Sequence, residues 1–205
     1  MKDKITNYFN QLFPNPKCEL NFNSAFQLLV AVVLSAQCTD KRVNQTTPTL
    51  FKIAPTAKQM AELSTEQIEQ IIKPCGFYHN KAKALKSLSL DIVNKHSGNV
   101  PNNFKDLTSL SGVGRKTANV ILAVAFNKPA LAVDTHVYRV SKRLGLSNAT
   151  NPDKCEDDLK KIFNKKDWSK IHYQMVLFGR YHCKAKKPNC NQCELKNVCK
   201  FKNEK

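Results

Sequence analysis

Residues 110–117 read Leu-Ser-Gly-Val-Gly-Arg-Lys-Thr, and this stretch indicates a tight turn followed at once by a helix. Gly112 and Gly114 can adopt backbone conformations that other residues resist. Small and apolar residues then recur at helical spacing, at Ala118, Ile121, Leu122 and Ala125. The amide groups at the start of such a helix attract phosphate, and the same positive end favours the neutral amine of Lys116. A neutral lysine beside a phosphate site is a candidate nucleophile toward a sugar carbon; the alternative is a solvated lysine after an ordinary glycine turn.

Two commoner glycine motifs do not fit these residues. A P-loop requires lysine directly after its last glycine, whereas Arg115 separates Gly114 from Lys116. The dinucleotide-binding fingerprint requires a third glycine where Thr117 stands. The turn therefore indicates a phosphate site of another kind.

The charge of the chain favours a polyanionic partner. Its 205 residues carry 33 Lys and Arg against 16 Asp and Glu, a net charge of +17. Such an excess is typical of nucleic-acid binding, although a merely soluble basic protein is the alternative. Aromatic residues make up only 8% and are scattered, so no single-strand stacking platform is evident.

No segment of the sequence indicates export or membrane insertion. The first ten residues are polar and lack the apolar core of a signal peptide. The longest apolar runs, near 28–34 and 120–126, are too short to span a bilayer. We therefore expect a cytoplasmic, nucleoid-associated protein with no membrane partner, in which the eight cysteines are reduced thiols or metal ligands.

Helical periodicity dominates the chain and predicts an all-α protein of about ten helices. Ser64 and Gln67 form a capping box before an apolar run. The valine-rich residues 26–33 fit a helix but also a buried strand. The tail from 200 to 205 is expected to fray.

Four cysteines near the C-terminus have the spacing C-x6-C-x2-C-x5-C. Four thiolates within 17 residues can close on one metal centre, either zinc or a [4Fe–4S] cluster, and the spacing favours the cluster. A loop that is held by a metal and bears lysines presents a surface that can face phosphate. Lys187 is our candidate DNA contact in this loop. The alternative is that the lysines of the loop only keep it solvated. The quartet consists of Cys183, Cys190, Cys193 and Cys199.

The other four cysteines are widely separated, and we expect most of them to be buried small hydrophobic residues. They are Cys18, Cys38, Cys75 and Cys155.

Asp134 follows Lys116 by 18 residues, directly before an apolar helical pattern. An aspartate in that position is an ordinary helix N-cap. A cap also fixes the carboxylate in place, so the same residue can serve as a partner for Lys116. His136 nearby is interpreted as structural.

Together these features resemble the endonuclease III family of DNA glycosylases, within the helix-hairpin-helix superfamily, over essentially the whole chain. Residues 34–40 look like the family's segment after an early helix, and 110–118 like its hairpin and catalytic lysine. Residues 133–137 look like its aspartate segment, and the cysteine spacing matches its [4Fe–4S] loop. Each motif is moderately specific, and their common order makes the resemblance very specific.

The resemblance implies two helical domains with a cleft between them. One would be a six-helix barrel domain of residues 22–132 that contains the hairpin. The other would join 1–21 to 133–205 and hold the iron–sulfur cluster.

The resemblance also implies the roles of individual residues. Lys116 would be the nucleophile and Asp134 its carboxylate partner. Gln37 would fill the gap that the extruded nucleotide leaves, and Phe77 would be an apolar wedge beside the opposite strand. The hairpin would contact the DNA backbone through Gly112, Val113, Gly114 and Arg115.

The implied activity is that of a bifunctional DNA glycosylase/AP lyase of base excision repair. A monomer would bind double-stranded DNA containing damaged bases or abasic sites, remove bases that are chiefly oxidised pyrimidines, and cut 3′ to the abasic site by β-elimination through a Schiff base. The alternatives are a cluster-containing DNA-binding sensor without catalysis and a monofunctional adenine or alkylpurine glycosylase. Lys116 favours the lyase over both.

Three positions depart from the family pattern. Ser111 stands where proline is usual, and we expect it to loosen the hairpin slightly. Thr108 replaces a common acidic residue, which leaves the reaction rate open. Cys38 replaces a frequent alanine or threonine without a clear consequence.

Overall fold

The computed structural model describes residues 1–201, and every regular element in that range is helical. This confirms the all-α prediction. Residues 202–205, the end of the tail that we expect to fray, lie outside the described range. In chain order the α-helices of the described part are α1 (Lys2–Leu12), α2 (Ala25–Leu34), α3 (Asp40–Ile53), α4 (Ala57–Glu62), α5 (Thr65–Ile72), α6 (Tyr78–His96), α7 (Phe104–Ser109), α8 (Arg115–Ala125), α9 (Thr135–Arg143), α10 (Pro152–Ile162) and α11 (Trp168–Leu177).

The chain divides into two compact units, residues 19–127 and residues 1–18 with 128–205. The family resemblance sets the junctions at 21/22 and 132/133 instead. The unit 19–127 contains α2 to α8. Two of these helices, α4 and α7, have only six residues each, which is too short for a clear periodic signal in the sequence.

Helix α2 lies at the centre of the unit 19–127, where it packs against α3, α6 and α8. Every residue of α2 after Ala25 is buried. A helix that is apolar on all faces belongs in a core, which explains why the same sequence also fits a buried strand. The Ser24 side chain begins the helix by accepting a hydrogen bond from the Gln27 amide at 3.2 Å.

The capping box predicted at the start of α5 is present. The Ser64 hydroxyl accepts a hydrogen bond from the Gln67 amide, and the Gln67 side chain accepts one from the Ser64 amide. This reciprocal pair satisfies two amides that would otherwise lack partners, and it fixes where the chain turns into α5.

The other unit joins the two ends of the chain. Helix α1 packs against α11, and the rings of Phe9 and Phe178 meet with their centroids 5.0 Å apart. The Gln174 side chain on α11 donates hydrogen bonds to the Asn10 side chain at 3.0 Å and to the Phe13 carbonyl at 2.9 Å. After α11 the chain makes a π-helical turn, Phe178–His182, which leads directly to Cys183.

Candidate functional site

The hairpin predicted from residues 110–117 joins α7 to α8. Leu110 is the C-cap of α7, and the Val113 amide donates a hydrogen bond to the Leu110 carbonyl at 3.1 Å, which closes the turn. Gly112 has a φ of +75°, and Gly114 is the N-cap of α8. The sequence therefore predicted both the turn and the helix start correctly.

The two glycines of the hairpin are required for different reasons. Gly112 combines its positive φ with close packing, since a Cβ there would lie 3.0 Å from the Cβ of Ala84. Gly114 has an ordinary extended backbone with a φ of −88°, and a Cβ there would meet nothing within 4 Å. Packing within the protein therefore explains Gly112 but does not explain Gly114.

Lys116 is the second residue of α8 and is exposed, whereas Ala118 and Ile121 further along the helix are buried. The helix is thus anchored by its apolar face while its first turn stays accessible. Of the two departures before this helix, Ser111 leaves the turn hydrogen bond formed. The Thr108 hydroxyl donates back to the Phe104 and Lys105 carbonyls of its own helix, at 2.9 and 3.1 Å.

Asp134 is the N-cap of α9 in the other unit. Its carboxylate accepts a hydrogen bond from the Val137 amide at 2.8 Å. The capping interpretation is thus confirmed, and the cap holds one carboxylate oxygen in a fixed place. The Nδ1 atom of His136 lies 3.2 Å from the Arg139 guanidinium.

Two arginines on α9 that the sequence analysis missed connect this helix to the cysteine loop. Arg139 donates to the Gly179 carbonyl at 2.6 Å and to the Cys183 carbonyl at 3.2 Å. Arg143 donates to the Cys183 sulfur at 3.4 Å and to the Lys184 carbonyl at 2.7 Å. Their spacing of four residues on one helix face was the available signal.

The Arg139 guanidinium is partly desolvated by these contacts. Burial lowers the pKa of Arg139, the Cys183 thiol opposes this shift, and Arg143 adds to it. Arginine remains charged in proteins, so Arg139 brings a cation against the backbone beside Cys183.

Three residues predicted to contact DNA share an uncommon backbone conformation. Gln37, Phe77 and Lys187 have φ values of +52°, +48° and +51°, in the left-handed region. All three are exposed, and Phe77 keeps 64% of its surface accessible. Ser97 and Asn127, which have no predicted DNA contact, also lie in this region. The conformation therefore does not by itself identify a DNA contact, and the resemblance alone had selected these positions.

The four cysteines of the quartet line one cavity of about 320 Å³. Leu144 and Phe178 contribute apolar walls, and the Nε2 atom of His182, which also lines it, is buried without a hydrogen-bond partner in the described chain. No group of three or more His, Cys, Asp or Glu side chains within residues 1–201 is arranged to hold a metal ion. The cavity thus gathers four thiols and one unsatisfied imidazole nitrogen.

Burial also perturbs two of these thiols. Burial raises the pKa of Cys193 and of Cys199, and the nearby thiols of the quartet raise both values further. Four thiolates at one place repel one another, so a cationic centre among them would reverse these shifts.

The remaining cysteines fit the prediction in part. Cys75 and Cys155 are buried, whereas Cys18 and Cys38 are half-buried. Cys38 directly follows Gln37 in an accessible loop, and that position is the reason it is not a core residue.

Across the part of the chain that the structure describes, no helix combines the length and the apolar character needed to cross a membrane.

Comparison with known proteins gives consistent similarities over nearly the full length. Residues 30–165 match the model of the HhH-GPD superfamily base excision DNA repair proteins. The chain is 46% identical over 199 residues to endonuclease III of Bacillus subtilis (strain 168), which covers 97% of this chain and 89% of the relative.

Solved structures give the same similarity in three dimensions. A non-covalent endonuclease III–DNA complex is similar with a TM-score of 0.94 and 44% identity, covering 98% of this chain and 95% of that one. A trapped endonuclease III–DNA covalent intermediate is similar with a TM-score of 0.94 and 45% identity, covering 98% and 96%.

Proposed function

Because this chain belongs to the endonuclease III family of the HhH-GPD superfamily, we propose that it is a bifunctional DNA glycosylase and AP lyase of base excision repair. It removes damaged bases from duplex DNA and then cuts the strand on the 3′ side of the abasic site. The observation that carries this proposal is the exposed Lys116 in the first turn of α8, directly after the glycine hairpin. The likeness to a covalently trapped relative supports an amine that bonds to the substrate.

The hairpin and the excess of basic residues hold the DNA backbone. The net charge of +17 attracts duplex DNA without reading its sequence. The target base lies inside the stack and is flipped out before chemistry, which requires least energy for a damaged base. Gly112, Val113, Gly114 and Arg115 contact phosphate, and Gly114 leaves the room that a phosphate oxygen needs to approach the backbone.

The two glycines give a prediction that separates folding from binding. Gly112→Ala should destabilise the protein by about 1–2 kcal/mol, because alanine resists the left-handed backbone and Ala84 is too close. Gly114→Ala should change stability by less than about 0.5 kcal/mol but weaken DNA binding roughly tenfold, through one disturbed phosphate contact. Thermal unfolding and fluorescence anisotropy on an undamaged duplex measure the two effects. Equal losses of stability in both variants would contradict this division.

Lys116 carries the covalent chemistry. Its Nζ forms a bond to the sugar C1′ while the C1′–N bond to the base breaks and the base leaves with the electron pair. Ring opening and loss of a proton from nitrogen give a Schiff base, which acidifies the C2′ proton. Removal of that proton expels the 3′ phosphate, and water then releases the lysine.

Asp134 assists the same step from the N-terminus of α9. Its Oδ1 accepts from the Val137 amide, which fixes the carboxylate orientation. The carboxylate accepts a proton or stabilises positive charge that develops on the sugar. We assign both roles to this one fixed carboxylate.

Gln37, Phe77 and Lys187 support the distorted duplex. Gln37 fills the gap left by the extruded nucleotide, and Phe77 wedges beside the opposite strand. Lys187 contacts a phosphate from the cysteine loop. Their left-handed backbone fits side chains that must point away from the protein at loop tips.

The four thiols hold a [4Fe–4S] cluster. All four thiols face one cavity with the apolar side chains of Leu144 and Phe178, and a set of four thiolates is the ligand set that an iron–sulfur cluster takes. When bound, the cluster crosslinks the loop and serves a structural role.

The cysteine assignment is tested with a matched pair of variants. Cys193→Ala should eliminate the visible iron–sulfur absorption and the bound iron. Cys155→Ala, a buried cysteine of the same unit outside the cavity, should keep both although it lowers stability by about 1–3 kcal/mol. Absorption spectra and iron and sulfide analysis measure the outcome, and bound zinc without iron would overturn the assignment.

The site of action follows from the substrate. We propose that the protein works in the cytoplasm in association with the nucleoid, where damaged DNA is found.

The function is tested on a panel of duplexes that contain thymine glycol, an abasic site, 8-oxoguanine mispairs or alkylpurines. We expect base release and 3′ cleavage at thymine glycol, cleavage at the abasic site, and a covalent product after borohydride reduction. Binding without base release or cleavage would indicate a sensor. Base release without cleavage would indicate a monofunctional glycosylase.

A further inference from the structure

Lys81 is a buried lysine in the unit 19–127 that the chemistry above does not use. It lies on α6, and only 6% of its surface is accessible. Its ammonium group donates hydrogen bonds of 2.9 Å to the Leu34 carbonyl and of 2.9 Å to the Cys75 carbonyl. Burying an ammonium is unfavourable unless it is well bonded, so this contact indicates a specific task.

The two carbonyls belong to segments that are far apart in sequence. Leu34 ends α2, three residues before Gln37, and Cys75 ends a 3-10 turn two residues before Phe77. Both segments then place a non-glycine residue in the left-handed region at an exposed position. The Lys81 side chain therefore links the starts of the two loops that carry Gln37 and Phe77.

The environment of the amine is consistent with a tether. Burial lowers the pKa of Lys81, and the thiols of Cys38 and Cys75, which belong to the same two segments, oppose that shift. An apolar side chain in its place would leave both carbonyls without this donor. The amine thus satisfies two helix-end carbonyls at once, which neither loop can do by itself.

We propose that Lys81 is a positioning residue that sets the distance between Gln37 and Phe77, so that gap filling and wedging occur together when a base is extruded. This inference rests on the roles given to Gln37 and Phe77 under the proposed function. Lys81 acts through these residues and does not touch the reacting sugar.

Lys86 offers a matched control on the same helix. Its ammonium group also donates to two carbonyls, those of Ala61 and Leu63, at 2.5 and 2.6 Å. These carbonyls lie at the C-terminal end of α4, in a segment without a proposed DNA contact. Lys81→Met and Lys86→Met therefore remove the same kind of tether, but only the first affects the two loops.

The experiment compares both variants with the wild-type holoenzyme on two substrates. For Lys81→Met, we expect kcat/KM for base release from paired thymine glycol to fall about 100-fold, the scale of a misplacement of about 1 Å. Cleavage at a preformed abasic site, which has no base to extrude, should fall less than about threefold. Lys86→Met should keep both activities within about threefold, and thermal unfolding shows how far each variant is destabilised.

A spectroscopic readout tests the positioning role without chemistry. With 2-aminopurine beside the lesion, unstacking raises the fluorescence, and Lys81→Met should reduce this rise while binding undamaged duplex normally. Lys81→Arg keeps donors at the site and should restore part of the rise. If Lys81→Met does not fold, Lys81→Gln, whose shorter side chain cannot reach both carbonyls as lysine does, serves as the test variant.

Two outcomes overturn the proposal: equal losses on both substrates, or the same loss in Lys86→Met. Failure of the wild type to release any base of the panel and to cleave the abasic duplex would instead refute the proposed function.

Discussion

Replacement of Lys116 by alanine is expected to eliminate borohydride trapping on damaged or abasic DNA and to reduce strand cleavage by about 10⁴-fold. The amine is the atom that bonds to the sugar, and no neighbouring group can replace a covalent nucleophile at the same position. Because Lys116 is exposed, stability should change by less than about 0.5 kcal/mol. Gel analysis after reduction and single-turnover cleavage measure the effect.

Lys105 provides the charge-matched control for this experiment. It is an exposed lysine on α7, and Lys105→Ala removes one positive charge close in sequence to the hairpin. This variant should trap at the wild-type level and differ only slightly in the salt dependence of binding. Wild-type trapping by Lys116→Ala would disprove the assignment of the nucleophile.

Replacement of Asp134 is expected to cause the second large loss of activity. Its role as a helix cap and its role in base release can be separated. Asparagine caps helices about as well as aspartate, so Asp134→Asn should keep the bond to the Val137 amide and lose little stability. Its single-turnover base release should nevertheless fall by about 10²-fold or more, since the amide neither accepts a proton nor stabilises positive charge equally well. Asp134→Ala should lose similar activity and in addition about 1 kcal/mol of stability.

Thermal unfolding, single-turnover base release and DNA affinity measured on both variants distinguish the roles. Affinity should remain close to that of the wild type. Normal turnover in Asp134→Asn would mean that the residue is a cap and nothing more.

The local features of the site were predictable from the sequence because each is determined by a few residues that are neighbours in the chain. The hairpin follows from Gly112 and Gly114, and the Asp134 cap follows from its place before an apolar helix. The spacing of the quartet likewise limits four thiols to one small volume.

The long-range contacts could not be predicted in this way. Arg143 meets Cys183 forty positions along the chain, and Lys81 meets Leu34 forty-seven positions away. Such contacts depend on how helices pack, which a single sequence does not encode locally. The left-handed backbone of Gln37 and Phe77 was equally hidden, because glutamine and phenylalanine do not favour it.

The left-handed backbone at the three predicted DNA contacts matters for protein engineering. The left-handed conformations of Gln37, Phe77 and Lys187 each lower the free energy of unfolding by roughly 1–2 kcal/mol. A residue that favours this conformation would recover that stability. A screen that selects only for heat resistance would favour glycine or asparagine at these positions. The resulting enzymes would be more robust and poorer at repair, so a thermostable version of this protein should be sought with these three positions held constant.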